Sequence, residues 1–179
     1  MRTDTKSEVA KAKEAAIEVL LHNRRGPYQF LPRTAGWGYP EPYTRDLMIS
    51  CLGMLASGDR RLVRTVRTIL RTAAQHQSEH GHIPSLLHAP EDRGASDTTP
   101  LFLLALAIYR RFSGEDSFLE KEGLKSLTWM DYQSPEDRVI VTQQPTSDWR
   151  DEQWVLGHGL YVNTIVYSYL QLFGHHEKA

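Results

Sequence analysis

The stretch that decides the fold is LFLLALAIY at residues 101–109, which is apolar on every side of a helix. Two further stretches, LMISCLGML at 47–55 and LYVNTIVYSYL at 160–170, have the same character. A helix that is apolar all round must be covered all round. The three stretches therefore predict three inner, buried helices, and other parts of the chain must cover them.

Three amphipathic segments alternate with the apolar ones and are suited to cover them. We predict outer helices at about 6–24, 59–77 and 116–131, and inner helices at about 44–57, 98–112 and 159–173. In the first outer helix the expected contact face is formed by Val9, Ala12, Ala16, Val19 and Leu20. The alternation predicts an all-α fold of three αα-hairpins in inner and outer layers, the arrangement of an α/α toroid.

The connections between these helices are of two kinds. Links from inner to outer helix are the short near-copies SGDRR at 57–61 and SGEDS at 113–117, which are typical of glycine-ended helices followed by an acidic helix start. Links from outer to inner helix are long and rich in Trp, Tyr, Arg and Asp. Each long link ends just before an inner helix, so we expect one end of the toroid to gather a functional site.

Composition narrows the class of protein. The 179 residues have a net charge of −1, which predicts no nucleic-acid or membrane partner, and they suffice for one domain, residues 1–179. One cysteine, Cys51, excludes an internal disulfide framework and is interpreted as a packing residue. No apolar run is long enough for a membrane span and no signal peptide is evident, so we expect a soluble, cytoplasmic protein.

The first long link carries the candidate sugar-binding residues Trp37, Tyr39, Tyr43, Arg45 and Asp46. Aromatic rings can stack on the apolar faces of sugars, and Arg and Asp can bind neighbouring hydroxyls. The alternative is structural: Asp46 caps the second helix and Arg45 pairs with it.

The second and third long links carry the remaining candidates. Asp97 precedes Thr-Thr-Pro, a pattern that also fits a plain helix cap. In the third link, three carboxylates are interleaved with tryptophan and arginine, which favours a functional site over a solvated turn because close carboxylates raise one another's pKa. These candidates are Asp148, Trp149, Arg150, Asp151 and Glu152.

Two other patterns are weaker. His76, His80 and His82 could hold a metal together with Glu79, but their place at the end of an outer helix favours no metal site. The arginine face of the third helix could meet phosphates, although a solvated face is favoured at this net charge.

The ordered set of motifs resembles the (α/α)6-barrel glycoside hydrolases, which include glucoamylases, trehalases, neutral invertases, mannosyl-oligosaccharide glucosidases and the amylo-1,6-glucosidase part of glycogen debranching enzymes. The motifs are YTRDLMISCLGMLASGD at 43–59, GHIP at 81–84, SDTTPLFLLAL at 96–106 and DWRDE at 148–152. Thr128–Asp131, TWMD, also resembles a debranching-enzyme motif, so that two registers are open for the catalytic acid.

The resemblance implies roles for individual residues. Arg45 and Asp46 match the pair that grips the sugar, and Asp97 matches a polar residue at the sugar-binding rim. Asp151 matches the acid that protonates the glycosidic oxygen, with Asp148 as the second choice. The implied substrate is an oligosaccharide, most closely a glucoside. No cofactor is implied, since inverting hydrolysis needs two carboxylates and water.

The chain departs from this family in length. The family's catalytic base follows the eleventh helix, whereas six helices are predicted here, the N-terminal half of an (α/α)6 toroid. Half a toroid would leave inner-helix apolar surface uncovered. Three interpretations follow. The chain is an enzyme fragment, either the N-terminal half of a longer gene product or a subunit that associates with a complementary half; it is a homodimer in which a second copy supplies the opposite carboxylate; or it is a non-catalytic carbohydrate-binding or assembly module.

Overall fold

All regular elements of the computed structural model are helices, within the residues that it describes: 5–36, 38–89, 91, 95–136, 140–144, 147, 149, 154 and 156–174. These ranges contain three isolated β-bridges but no strand. The all-α prediction is confirmed. The six helices are α1 Thr5–Asn23, α2 Thr44–Ser57, α3 Arg60–Gln75, α4 Thr98–Ser113, α5 Glu120–Tyr132 and α6 Leu160–Phe173.

Helix α4 lies at the centre of the packing. It contacts α2 and α6 on either side and also packs against α3 and α5, while α1 packs on α2 and α3. Burial of most of its residues, including Phe102 and Leu106, confirms that this stretch is an inner helix. The flanking helices α2 and α6 each leave an apolar side chain in solvent, since Ile49 is 48% and Tyr167 is 52% exposed.

The two short turns between inner and outer helices share the glycine end that their near-identical sequences predict. Gly58 and Gly114 end α2 and α4 in the left-handed conformation, at φ 69° and 71°. In each turn a serine hydroxyl, of Ser57 or Ser113, accepts a hydrogen bond from the backbone N–H two residues later. The predicted acidic helix start is confirmed only after the first turn, where Asp59 caps α3; after the second turn it is wrong, since α5 has Leu119 at its N-cap position.

Helix α5 begins later than predicted, at Glu120 rather than at 116. Leu119 has φ 53°, a left-handed conformation that a helix cannot continue through. Phe118 is buried, and its ring lies 4.9 Å from that of Tyr109. Anchoring of this ring in the core explains why the segment before Glu120 forms turns instead of helix.

Helix α1 contacts the core through a different face from the predicted one. Ile17, Leu20 and Leu21 pack on the core, whereas Val9 and Val19 are 64% and 60% exposed. Apart from Leu20, the predicted face is wrong, because only the last turns of α1 reach α2 and α3.

Two further sequence predictions have a direct counterpart in the structure. Cys51 is fully buried among apolar residues, and burial raises the pKa of its thiol, which confirms it as a packing residue. None of the helices in the described ranges is long and apolar enough to cross a lipid bilayer.

The long link between α3 and α4 is tied across the starts of α2 and α4. The Thr44 backbone N–H donates to the Ser85 carbonyl at 2.8 Å, and the Thr98 hydroxyl donates to the Ile83 carbonyl at 2.7 Å. The Thr99 hydroxyl oxygen accepts from the Ile83 N–H at 3.0 Å. These bonds fix the link at the end of the molecule where the inner helices begin.

Candidate functional site

An ion pair joins the starts of two inner helices. Arg45, the second residue of α2, donates from Nε to Asp97 Oδ2 at 2.6 Å and from Nη2 to Oδ1 at 3.3 Å. Asp97 has no exposed surface, and the Arg45 side chain is 18% exposed. The partners are 52 residues apart in sequence, so this pair holds α2 and α4 together.

The sequence also allowed purely structural roles for these residues, with Asp46 and Asp97 as helix caps, and the structure agrees with only part of this alternative. Helix α2 has Tyr43 at its N-cap position, which places Asp46 inside the first turn, so the expected capping by Asp46 is wrong. Asp97 does occupy the N-cap position of α4, but its side chain makes no capping hydrogen bond. Its carboxylate points to Arg45, a partner that the expected Arg45–Asp46 pair did not include.

The electrostatics of Asp97 are dominated by burial. Desolvation raises the pKa of this carboxyl group, and this effect exceeds the lowering of the pKa by Arg45 and by the Tyr161 hydroxyl. Tyr161 is the second residue of α6. The starts of α2 and α4 therefore meet at one carboxylate, and Tyr161 at the start of α6 lies close enough to influence its pKa.

The first long link presents a pair of parallel tyrosine rings. Tyr39 and Tyr43 stack with ring centroids 5.4 Å apart and an angle of 13° between their planes. Tyr39 is 47% exposed, so one ring of the pair faces solvent. Such a surface can hold a flat apolar group.

Several predicted site residues lie outside the described part of the chain. Trp149 is described and is 58% exposed. The structure therefore brings together Arg45 and Asp97, while the predicted acid and its neighbours stay predictions. The residues outside the described ranges are Trp37, Asp148, Arg150, Asp151 and Glu152.

A cavity of about 580 Å³, which the sequence analysis missed, opens at the same end of the molecule. Its walls come from the end of α3, the end of α5 and the links that follow them. Ser96, next to Asp97, lines the cavity, and its backbone N–H donates to the Ser147 carbonyl at 2.7 Å. The described lining residues are His76, Ser78, His80, His82, Pro84, Glu91, Ala95, Ser96, Trp129, Tyr132, Gln133, Pro135, Thr142, Gln144 and Ser147.

Four rings in a row form one wall of this cavity. His80 lies 6.1 Å from Tyr132, Tyr132 lies 5.9 Å from Trp129, and Trp129 lies 4.8 Å from His82, measured between ring centroids. His82 is fixed by a contact of 3.1 Å between its Nδ1 and the Thr99 hydroxyl. Within the described ranges no three His, Cys, Asp or Glu side chains come together as a metal site.

Three polar atoms of the lining residues have no hydrogen-bond partner among the described residues. They are Trp129 Nε1, Gln133 Oε1 and Thr142 Oγ1, and each is buried. A buried polar atom without a partner costs about 1–3 kcal/mol. A ligand that supplied a partner after a small side-chain rotation would recover part of that cost.

Sequence reasoning missed the cavity because its walls come from distant segments. Two signals were present: Trp129, within the TWMD motif, and the closely spaced histidines His76, His80 and His82. The first was interpreted as a possible position for the acid and the second as a weak metal site. Only the packing of α5 beside the α3–α4 link shows that they face one another.

Comparisons of the chain with protein-family models, with curated proteins and with solved structures found no match. The all-α fold and the geometry of the site are therefore established from the structure itself. The resemblance to the (α/α)6-barrel glycoside hydrolases stays a prediction that rests on the sequence motifs.

Proposed function

We propose that the chain binds an oligosaccharide at the long-link end of its helices, as half of a glycoside-hydrolase-like toroid. The aromatic cavity is the observation that carries this proposal. It has Trp129 and Tyr132 in its wall, and amide or hydroxyl groups around them. Aromatic faces pack on the apolar faces of sugar rings, and amides and hydroxyls can both donate to and accept from sugar hydroxyls.

Size and charge favour a neutral sugar. A volume of about 580 Å³ lies within the range of small-molecule sites. Among the described lining residues there is no lysine or arginine, and Glu91 is the one carboxylate. A neutral ligand with many hydroxyl groups suits these walls better than a charged one.

In this proposal Asp97 is a positioning residue. It is fully buried, so it acts through Arg45, whose guanidinium it holds in place at the start of α2. A guanidinium group carries five N–H donors, so Arg45 can serve more acceptors than the Asp97 carboxylate alone. In this proposal Asp97 supports the sugar-binding rim from below instead of contacting the sugar itself.

The hydrolytic part of the proposal assigns Asp151 as the general acid, with the base supplied by a second half. The exposed apolar residues of the flanking inner helices, Ile49, Tyr167 and Leu160, support such a half as their cover. Light scattering over a concentration series tests for a second copy. A mass of about twice 20.5 kDa supports a homodimer, and a strict monomer rules out a second copy as the cover.

Binding is tested by calorimetric titration with a short α-glucoside series. We expect Tyr132→Ala, at a side chain that is 64% exposed, to keep the fold and to weaken binding about tenfold through the loss of stacking. Trp154→Ala is the matched control, because Trp154 is 76% exposed and does not line the cavity. No measurable binding, or equal losses in both variants, would contradict the proposed site.

Hydrolysis is tested separately with Asp151→Asn. The general-acid role predicts that this variant binds the glucoside with unchanged affinity but loses at least about 100-fold in the rate of sugar release. An unchanged rate of release would refute Asp151 as the acid. Binding by the wild-type chain without any turnover would favour a carbohydrate-binding module instead.

A further inference from the structure

A second cavity, of about 500 Å³, lies between the end of α1, the segment that follows it and the first half of α3. Four arginines line it: Arg24, Arg25, Arg61 and Arg64. Among the described lining residues there is no carboxylate, although acidic residues slightly outnumber basic ones in the chain as a whole. Positive charge is therefore concentrated at this place.

Most of this charge is uncompensated. Arg61 pairs with Asp59, with Nη2 to Oδ2 at 2.8 Å. The side chains of Arg24, Arg25 and Arg64 form no ion pair or hydrogen bond with any residue in the described ranges. Like charges this close together repel one another, and an anion placed between them removes that repulsion.

An exposed, strained aromatic residue forms part of the same cavity. Phe30 is 79% exposed and has φ 57°, and Gln29 before it has φ 50°. Left-handed backbone costs about 1–2 kcal/mol at each residue that is not glycine. The turn is held by buried Leu31, whose carbonyl accepts from the Gly26 N–H at 2.6 Å. Backbone strain that holds a large apolar ring in solvent indicates a functional role for that ring, such as contact with a ligand.

We propose that this cavity binds a phosphate-bearing small molecule, with the arginines on the phosphate groups and Phe30 against the ring of the ligand. The planar guanidinium group matches phosphate oxygens two at a time. An aromatic side chain can pack on a nucleoside base or on a sugar ring. The proposal is independent of the oligosaccharide site, with which this cavity shares no described lining residue.

The test is calorimetric titration of the full chain with pyrophosphate, ADP and glucose 6-phosphate at low ionic strength. We expect pyrophosphate to bind, and ADP or glucose 6-phosphate to bind more tightly because its ring adds the contact with Phe30. Tighter binding of ADP would identify the ligand as a nucleotide, and tighter binding of glucose 6-phosphate would identify it as a sugar phosphate. All three affinities should fall as salt is added, because the attraction is electrostatic.

Variants locate the binding. The double variant Arg24→Gln/Arg25→Gln should weaken pyrophosphate binding at least about tenfold, from the loss of charge-assisted hydrogen bonds. The control is Arg60→Gln, which lies on the same helix as Arg64 but does not line the cavity. We expect this control to change the affinity less than about twofold, because an exposed charge outside the site is screened.

Phe30→Gly separates binding from folding. Glycine tolerates the left-handed backbone, so this variant should be at least as stable as the wild type. Its affinity for whichever of ADP and glucose 6-phosphate binds more tightly to the wild type should nevertheless fall to about that of pyrophosphate. Three results would overturn the proposal: no binding of any probe, equal weakening in Arg60→Gln, or binding of a long RNA but none of the small phosphates.

Discussion

The two ends of the helices are built in different ways. At the short-turn end, Gly58 with Asp59 and Gly114 with Glu115 repeat one local pattern of conformation and hydrogen bonds. At the long-link end, Arg45 and Asp97 hold each other across 52 residues of sequence. Two Arg–Asp pairs make the contrast plain, since Arg61 and Asp59 at the short-turn end are only two residues apart. Local contacts set the conformation of the short turns, and the Arg67–Glu115 pair is a long-range addition at that end, whereas the Arg45–Asp97 pair at the other end has no local counterpart.

The largest expected difference between the two ends is in the loss of stability when a glycine with positive φ is replaced by alanine. Gly81, in the α3–α4 link, has φ 100°, and a Cβ there would lie 2.1 Å from the Lys125 carbonyl oxygen. Gly114 has φ 71° with open space around it. We expect Gly81→Ala to lower the free energy of unfolding by about 4 kcal/mol, because the backbone of α5 must move. Gly114→Ala should cost about 1 kcal/mol.

Urea unfolding followed by circular dichroism measures both losses. Gly81 also carries the carbonyl that accepts from Ser126 at 2.9 Å, so that its displacement should loosen the wall of the aromatic cavity. Equal losses in the two alanine variants would show that the close approach of the link to α5 is not a constraint on the fold.

The next largest difference in stability is expected when the aspartate of each Arg–Asp pair is replaced by asparagine. Asp97→Asn replaces a carboxylate that accepts two hydrogen bonds from Arg45 by an amide, whose N–H group cannot accept them, and we expect the free energy of unfolding to fall by about 2 kcal/mol. The value lies below that for a fully buried pair because Arg45 keeps some contact with solvent. Asp59→Asn should cost less, since its pair with Arg61 is exposed and asparagine also caps helices well. A smaller loss for Asp97→Asn than for Asp59→Asn would contradict the long-range role of Asp97.

The pH dependence of these two variants should have opposite signs. The folded pKa of Asp97 lies above its ordinary value of 3.8 because of burial, so the folded state gains stability from this group as pH falls and loses it as pH rises. The pKa of Asp59 is lowered, chiefly by its hydrogen bond with Arg61, so stability from this group is present above pH 3.8 and is lost on acidification.

Unfolding free energies measured from about pH 6 to about pH 3 test these signs, because ordinary aspartates titrate in this range. The advantage of the wild type over Asp97→Asn should grow as pH falls. Its advantage over Asp59→Asn should shrink. The same slope for both pairs would contradict the dominance of burial at Asp97.

Sequence patterns were sufficient where a structure is set by neighbouring residues. Helix α2 was predicted with its observed bounds, and Gly58 and Gly114 end their helices as predicted. These features follow from periodicity and from the φ that glycine allows, both of which are local properties.

Patterns failed where the packing partner decides. The start of α5 depends on where the ring of Phe118 enters the core, and the contact face of α1 depends on which of its turns reaches α3. The Arg45–Asp97 pair and the aromatic cavity combine segments far apart in the chain, so periodicity carries no information about them. Sequence reasoning pointed to the end of the molecule where this pair and the cavity lie, but not to the contacts that form them.

Oligosaccharide binding at the aromatic cavity can be tested directly by NMR, from the chemical shifts of the tryptophan indole N–H signals. The chain has four tryptophans, so their N–H signals can be assigned by substituting each tryptophan with phenylalanine. During titration with maltotriose, we expect a saturable change in chemical shift. The change should be largest for Trp129, which lines the cavity, and small for exposed Trp154. An unchanged Trp129 signal at saturating sugar would contradict the claim.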